Sequence, residues 1–498
     1  MAIRGRNNSE QGTTIITLIH NVCLYGHDDR VTVRLENGHI TDIRPRHGSD
    51  LPVSDPAHRW IEGNGATLLP GLHDHHLHLM AYAAALDSVH CGPPAVQTEE
   101  QLAGCLRDAN GQPDAGWLRG IAYHASVAGD IDRHWLDRYI PDRPVRVQHR
   151  GGRLWVLNSC ALEALNLDQA LNQDQAQGEL PPGLERSGEQ FTGRLYEGDA
   201  WLRARVPRKL PDLARASCQL ARYGITGITD TTPANGLEEW RLFAAAQDRG
   251  ELGQRVRMMG GPDIALCHDT EGLQRGELKV HLLESQLPEL DRLCDDIAAA
   301  HARERAVAIH CVTRTELVFA LAALDAAGTV SGDRIEHASV CPPEQLEEIR
   351  RLNLRVVTQP HFIEERGDHY LDEVEAEDQP WLYRAAAFLE AGVPLAGGSD
   401  TPFGDADPWR LMRAAVSRRT LQGRIIGASE ALTPEQALAL FLSPPQSPGL
   451  GLRHLQVGAP ADLCLLKAPW AQVRTRLDAN QVRITWRGGQ CIFDAAAT

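Results

Sequence analysis

The chain has 498 residues, 43% hydrophobic and 23% charged, the make-up of an ordinary globular protein with a large core. Its formal net charge is −16, with 66 acidic against 50 basic residues, so it offers little basic surface for nucleic acid. Its 11 cysteines, an odd number with no C-x-x-C pair, argue for reduced thiols and against a disulfide framework or a zinc–cysteine site.

In chain order, "MAIRGRNNSEQGTT" carries charge but no apolar core, so no secretory signal is expected there. No apolar run approaches a membrane span. A cytoplasmic protein with no membrane partner is the expectation. Residues 13–66 then alternate in the strand period, as "TIITLIHNVCLY" and "RVTVRLENGHITDIRP", with "ENGHI" read as a hairpin turn. The far end repeats this in "GAPADLCLLKAPW" and "VRITWRGGQCIF". One small β-sandwich domain assembled from both termini, residues 1–66 plus 452–498, is expected.

The middle, residues 67–451, alternates short apolar strands with longer amphipathic stretches, the pattern of an α/β fold with a parallel sheet. Candidate strands are 72–79, 225–230, 255–260, 278–283, 307–312, 334–339, 355–360 and 394–400. Eight is the number a (β/α)8 TIM barrel requires. Helices are expected over "DLARASCQLARY", "ELDRLCDDIAAAHA", "TELVFALAALDAA" and "PEQLEEIRRLN". Residues 81–206, between the first and second strands, break the repeat and read as a large insertion, a lid or binding loop over the barrel mouth.

The polar outliers cluster at strand ends. His76 and His78 end the first strand, Lys279 lies in the fourth, and His310, His337 and Asp400 end the fifth, sixth and eighth. In a barrel these ends share one mouth, where active sites are built. Alternation places Asp74, His76 and His78 on one face of "LHDHHLHL" and His73, His75 and Leu77 on the other. Histidines, an aspartate and a lysine able to carry a carbamate make a nitrogen and oxygen ligand set. It suits zinc first, with manganese, iron or nickel as alternatives. A lone histidine at a strand end is more often structural than a ligand; the argument rests on the convergence.

"LLPGLHDHHLHL" resembles the P-G-x-x-D-x-H-x-H signature of the amidohydrolase superfamily, and "VAIHC", "RIEHAS" and "AGGSDTPF" resemble its later metal and base strands. "LDRYIPDRPVRV", "LNSCALEAL", "TGRLYEGD" and "GITGITDT" resemble the amidohydrolase family 3 branch, which includes N-substituted formamide deformylases. The resemblance implies a metal-dependent hydrolase of an amide, formamide or cyclic amide bond in a small molecule. It implies one or two Zn2+ held by His76, His78, Lys279, His310, His337 and Asp400, with Lys279 carbamylated in many relatives. Asp400 would be the general base, with His337 beside it as the second catalytic residue; a homodimer is common in the superfamily.

Departures bear on the substrate. Arg153 stands where relatives often have a histidine, and the Asp-Gly after the fourth-strand lysine is missing. Arg153, Gln359, His361 and Tyr123 are therefore the candidate substrate contacts, with His124 and Trp409 as weaker ones. His281 shares the face of Lys279 and is the alternative polar group there. "VAIHCVTRTEL" has no H-x-x-E, which disfavours a mononuclear deaminase. The alternatives are a deaminase or esterase on the same fold, or a non-catalytic barrel that binds or assembles.

Overall fold

The computed structural model describes residues 16–46, 58–93, 95–111, 116–170, 180–207 and 210–497. The opening residues read above for a secretory signal lie outside them. Two compact units emerge, residues 1–79 with 213–498, and residues 80–212.

The eight barrel strands stand side by side in one parallel sheet. They are Leu72–Leu77, Ile225–Asp230, Arg255–Gly260, Leu273–His281, Val307–Cys311, Arg334–His337, Arg355–Thr358 and Leu395–Gly397. All eight expected strands are present. The fourth begins earlier than expected, and the first stops one residue short of His78. The sheet closes on itself beyond the eighth strand. The Asp400 amide donates to the His76 carbonyl at 2.7 Å, and the His78 amide donates to the Thr401 carbonyl at 3.0 Å.

The expected helices form at Leu213–Arg222, Leu290–His301, Arg314–Ala327 and Pro343–Arg351. Leu290–His301 buries Leu293, Ile297 and Ala300, one stripe at helical spacing. Arg314–Ala327 starts at Thr313, which forms a capping box with Glu316.

Strand alternation sends charge into the barrel. Arg257 on the third strand pairs with Glu277 on the fourth at 3.2 Å. Arg334 on the sixth reaches the Met259 sulfur on the third and the His75 carbonyl on the first.

Both chain ends build a second eight-stranded sheet in this unit. Ile16–Leu24 sits centrally, with Arg30–Glu36 on one edge and His58–Glu62 then Thr67–Pro70 on the other. Leu463–Leu466 continues from Thr67–Pro70. Thr67–Pro70, allotted by sequence to the barrel segment, is thus a strand of the terminal sheet. The expected turn joins Glu36 to His39, with Asn37 at φ 50° and Gly38 at φ 80°. The sheet curls until His39 bridges Pro460, enclosing Ile19, Val33, Leu68, Leu465 and Trp486. The strands form one continuous hydrogen-bonded path curled around this core.

Residues 80–212 have a six-stranded sheet of their own, ordered Leu184–Ser187, Gln190–Tyr196, Leu154–Leu157, Val145–His149, Leu118–Tyr123, Val89–His90. The insertion read from sequence is therefore a structured body with cores around Trp135 and Trp155. All 11 cysteines are free, and no described helix is long and apolar enough to cross a membrane.

Closure of the barrel leaves no room beside the first strand. A Cβ on Gly398 would lie 2.4 Å from the His76 Cβ and 2.6 Å from its amide nitrogen. Gly398→Ala is expected to destabilise the protein by about 1–3 kcal/mol or more, read as a lower urea midpoint. An unchanged midpoint would contradict this packing.

Candidate metal centre

The first barrel strand sorts its polar residues by face. His73 Nε2 meets Thr229 Oγ1 at 2.9 Å and His75 Nε2 meets Ser443 Oγ at 3.0 Å, so these two rings serve packing. On the other face, Asp74 Oδ1 accepts from the His76 and Ser399 amides, both at 3.0 Å. It thereby ties the first strand to the loop that carries Asp400.

That loop brings Asp400 onto the histidine pair. Asp400 Oδ1 lies 3.3 Å from His76 Nε2 and 3.3 Å from His78 Nε2. One ligand atom from each of His76, His78 and Asp400 falls within 4.8 Å of the others. His337 and His310 extend the cluster: ring centroids are 4.7 Å apart for His76–His337 and 4.5 Å for His310–His337.

The backbone bends to achieve this. His337 has φ 70° and Asp400 φ 53°, left-handed conformations uncommon for side chains of this kind. In a regular strand Glu336 and His337 would face opposite ways. The left-handed turn lets both meet His76, Glu336 at Nδ1 and His337 ring to ring.

Partners on Nδ1 orient the imidazoles. His76 Nδ1 is bonded to Glu336, His78 Nδ1 to Thr232 Oγ1 at 3.1 Å, and His337 Nδ1 to Gln359 Oε1 at 2.8 Å. A carboxylate or amide oxygen that accepts from Nδ1–H fixes the ring rotation and turns Nε2 of His76 and His337 toward the site.

Electrostatics suit a cation. Burial, reinforced by the charge of His76, pushes His337 down to about 3. Burial likewise holds His310 well below the usual imidazole range. Burial works against an ionised Asp400, yet hydrogen bonds from His76 and His78 hold it well below the usual carboxylate range. Burial lowers the Lys279 ammonium against the pull of Glu336. Its Nζ is buried with no hydrogen-bond partner, while both Glu336 oxygens are engaged by Arg334 and His76. Burial works against a charged His76, yet the carboxylates of Glu336 and Asp400 raise its imidazole above the ordinary range. Two imidazoles kept neutral by burial (His310 and His337), the His76 and His78 rings, one ionised carboxylate and one orphaned amine form a donor set that fits a divalent metal such as zinc.

Other expected residues fall elsewhere. Gln359 is fully buried and spends its oxygen on His337, and His361 gives Nε2 to the Ser399 carbonyl at 3.0 Å. Through those atoms both brace the site, while Gln359 Nε2 and His361 Nδ1 have no hydrogen-bond partner among the described residues. Tyr123 and Arg153 belong to the 80–212 unit. Tyr123 is buried and its hydroxyl donates to the Gly129 carbonyl. Arg153 is exposed and pairs with Glu197 at 3.4 Å. Trp409 is buried and donates to the Tyr223 carbonyl, and His124 caps the short helix Ala125–Ala128. His281 is exposed and packs edge-on against His310 at 4.5 Å, so Lys279 is the buried group of that face.

Glu336, Arg334 and Thr232 escape the sequence reading. A signal for the first two exists: "RIEH" alternates two charges through an otherwise apolar strand.

The model of the amidohydrolase family matches residues 60–493. The chain belongs to the amidohydrolase family. It is 25% identical over 485 residues to the N-substituted formamide deformylase of Arthrobacter pascens, covering 86% of this chain and 87% of that one. A metal-dependent hydrolase of Pyrococcus horikoshii shares the fold at TM-score 0.71 and 20% identity, over 96% of this chain and 99% of that one. The N-isopropylammelide isopropylaminohydrolase of Burkholderia multivorans aligns at TM-score 0.51 and 19% identity, over 96% and 97% of the chains.

A pH dependence follows for the metal-stripped protein. His337 is neutral when folded and takes a proton near 6.5 when unfolded, so its share of stability is lost as pH falls below 6.5. Relative to His337→Gln, the unmodified protein should lose about 1–2 kcal/mol between pH 7 and pH 5 in urea unfolding. Parallel profiles would contradict a buried neutral His337.

Proposed function

We propose that this amidohydrolase cleaves an amide, formamide or cyclic amide bond of a small molecule, with Asp400 as general base. The observation that carries this reading is Asp400 Oδ1 at 3.3 Å from both His76 Nε2 and His78 Nε2, beside a buried, unpartnered Lys279 amine. His76, His78, Lys279, His310, His337 and Asp400 would hold one or two Zn2+. A zinc ion held by these residues would supply a water whose pKa falls from about 15.7 to about 7 and a Lewis acid for the scissile carbonyl.

The residues of the chain do the rest. Asp400 is ionised and therefore free to take the proton of the attacking water, then to return it to the leaving nitrogen. His76 and His78 steady its carboxylate through that exchange, and the left-handed backbone fixes its direction. His337, kept neutral by burial and oriented by Gln359, offers its Nε2 lone pair beside Asp400. Lys279, whose burial favours the neutral amine, is suited to add to carbon dioxide. Nζ bonds the carbon, a proton leaves, and the carbamate supplies two oxygens where the amine offered one nitrogen.

Two measurements test this. On a panel of N-substituted formamides, cyclic amides and simple esters, Asp400→Asn assayed at saturating zinc should lose on the order of 10²–10⁴-fold in kcat. Wild-type turnover in that variant would remove Asp400 as base, and hydrolysis of esters alone would overturn the amide reading. In labelled bicarbonate, a 13C carbamate resonance should appear and vanish in Lys279→Gln; its absence from the wild type would leave Lys279 an unmodified amine.

A further inference from the structure

Arg334 and Glu336 take no part in the chemistry above, yet both are fully buried. A buried ion pair is a poor source of stability, because desolvation offsets most of the attraction. Its geometry points toward the metal ligands. Arg334 Nε donates to Glu336 Oε1 at 2.6 Å, and His76 Nδ1 donates to Glu336 Oε2. Arg334 also donates through NH2 to the carbonyl of His75, the residue before His76, at 3.1 Å. One guanidinium thus grips both the carboxylate on the His76 ring and the backbone that carries that ring.

We infer that Glu336 is a positioning residue for His76, held in place by Arg334, and that this buried relay makes His76 the anchoring ligand of the site. The inference rests on the metal-site reading. The carboxylate fixes His76 with its proton on Nδ1, sets the ring rotation, and raises the donor strength of Nε2. His78 has weaker support: its Nδ1 meets only the Thr232 hydroxyl at 3.1 Å, and its side chain is 15% exposed against 1% for His76. The two histidines of the H-x-H pair are therefore unequal, one locked by a charge relay and one braced by a hydroxyl.

Glutamine at 336 would keep the shape and lose the function. It has one acceptor oxygen for two facing donors, so either Arg334 or His76 would face an amide NH2 group. The test is chelator competition for Zn2+ on the metal-stripped full-length protein, with the absorption spectrum of the cobalt-loaded protein as a second readout. Glu336→Gln should bind zinc about 10–100-fold more weakly, with a changed cobalt spectrum. Glu336→Asp, which keeps the charge but draws it back by one methylene, should fall between. Thr232→Val should weaken binding less than Glu336→Gln. A folded Glu336→Gln protein with wild-type zinc affinity and spectrum would overturn the inference, whatever its unfolding midpoint. Should that variant not fold, Glu336→Asp decides on the same terms. Failure of the metal-site reading would look different, because the wild type itself would then bind no zinc.

Discussion

The site depends on one seam, where the eighth barrel strand closes onto the first. Main-chain bonds link Asp400 to His76 and His78 to Thr401, and the Asp74 carboxylate bridges the His76 and Ser399 amides. The same contacts that finish the barrel place the Asp400 carboxylate against two imidazoles. Gly398 is required because any side chain there would occupy the space of His76. Fold and chemistry therefore share their constraints: a defect in closure is also a defect in the metal site.

The price of this arrangement is a barrel interior crowded with charge. Glu277, Lys279, Arg334 and Glu336 lie inside, with the partly buried Arg257 paired to Glu277, where apolar layers would pack more cheaply. Most are paired, yet Lys279 Nζ and Asp74 Oδ2 have no hydrogen-bond partner. Groups left unmatched at a barrel mouth, next to imidazoles held neutral by burial, form an environment that a divalent cation would complete. In this account stability and metal binding are coupled, and the apo protein bears the cost of an unfilled charge pattern.

Much of this was legible in the chain. Hydrophobic periodicity marks all eight strands and the main helices, because each strand is a short apolar run bounded by turns. The H-x-H pair follows from alternation alone. Other features were hidden for physical reasons. Glu336 and His337 both turn toward His76 only because His337 adopts a left-handed backbone, which no alternation rule foretells. Gln359 and His361 read as pocket residues at a strand end; what alternation does not foretell is that one atom of each engages the site's own frame, with Gln359 Nε2 and His361 Nδ1 left unpartnered. The burial of the Tyr123 ring and the bond from its hydroxyl to a local carbonyl were likewise not legible in the chain. Thr67–Pro70 reads as the run-in to the barrel, and only pairing with Leu463–Leu466, almost 400 residues away, makes it a strand of the terminal sheet.

The most direct test of the central claim is elemental analysis of the purified protein beside a His76→Ala variant, each loaded with zinc and then desalted. The account predicts about one or two equivalents of divalent metal in the wild type and a loss of most of it in the variant. A wild type that retains no metal, or a variant that retains as much as the wild type, would contradict it.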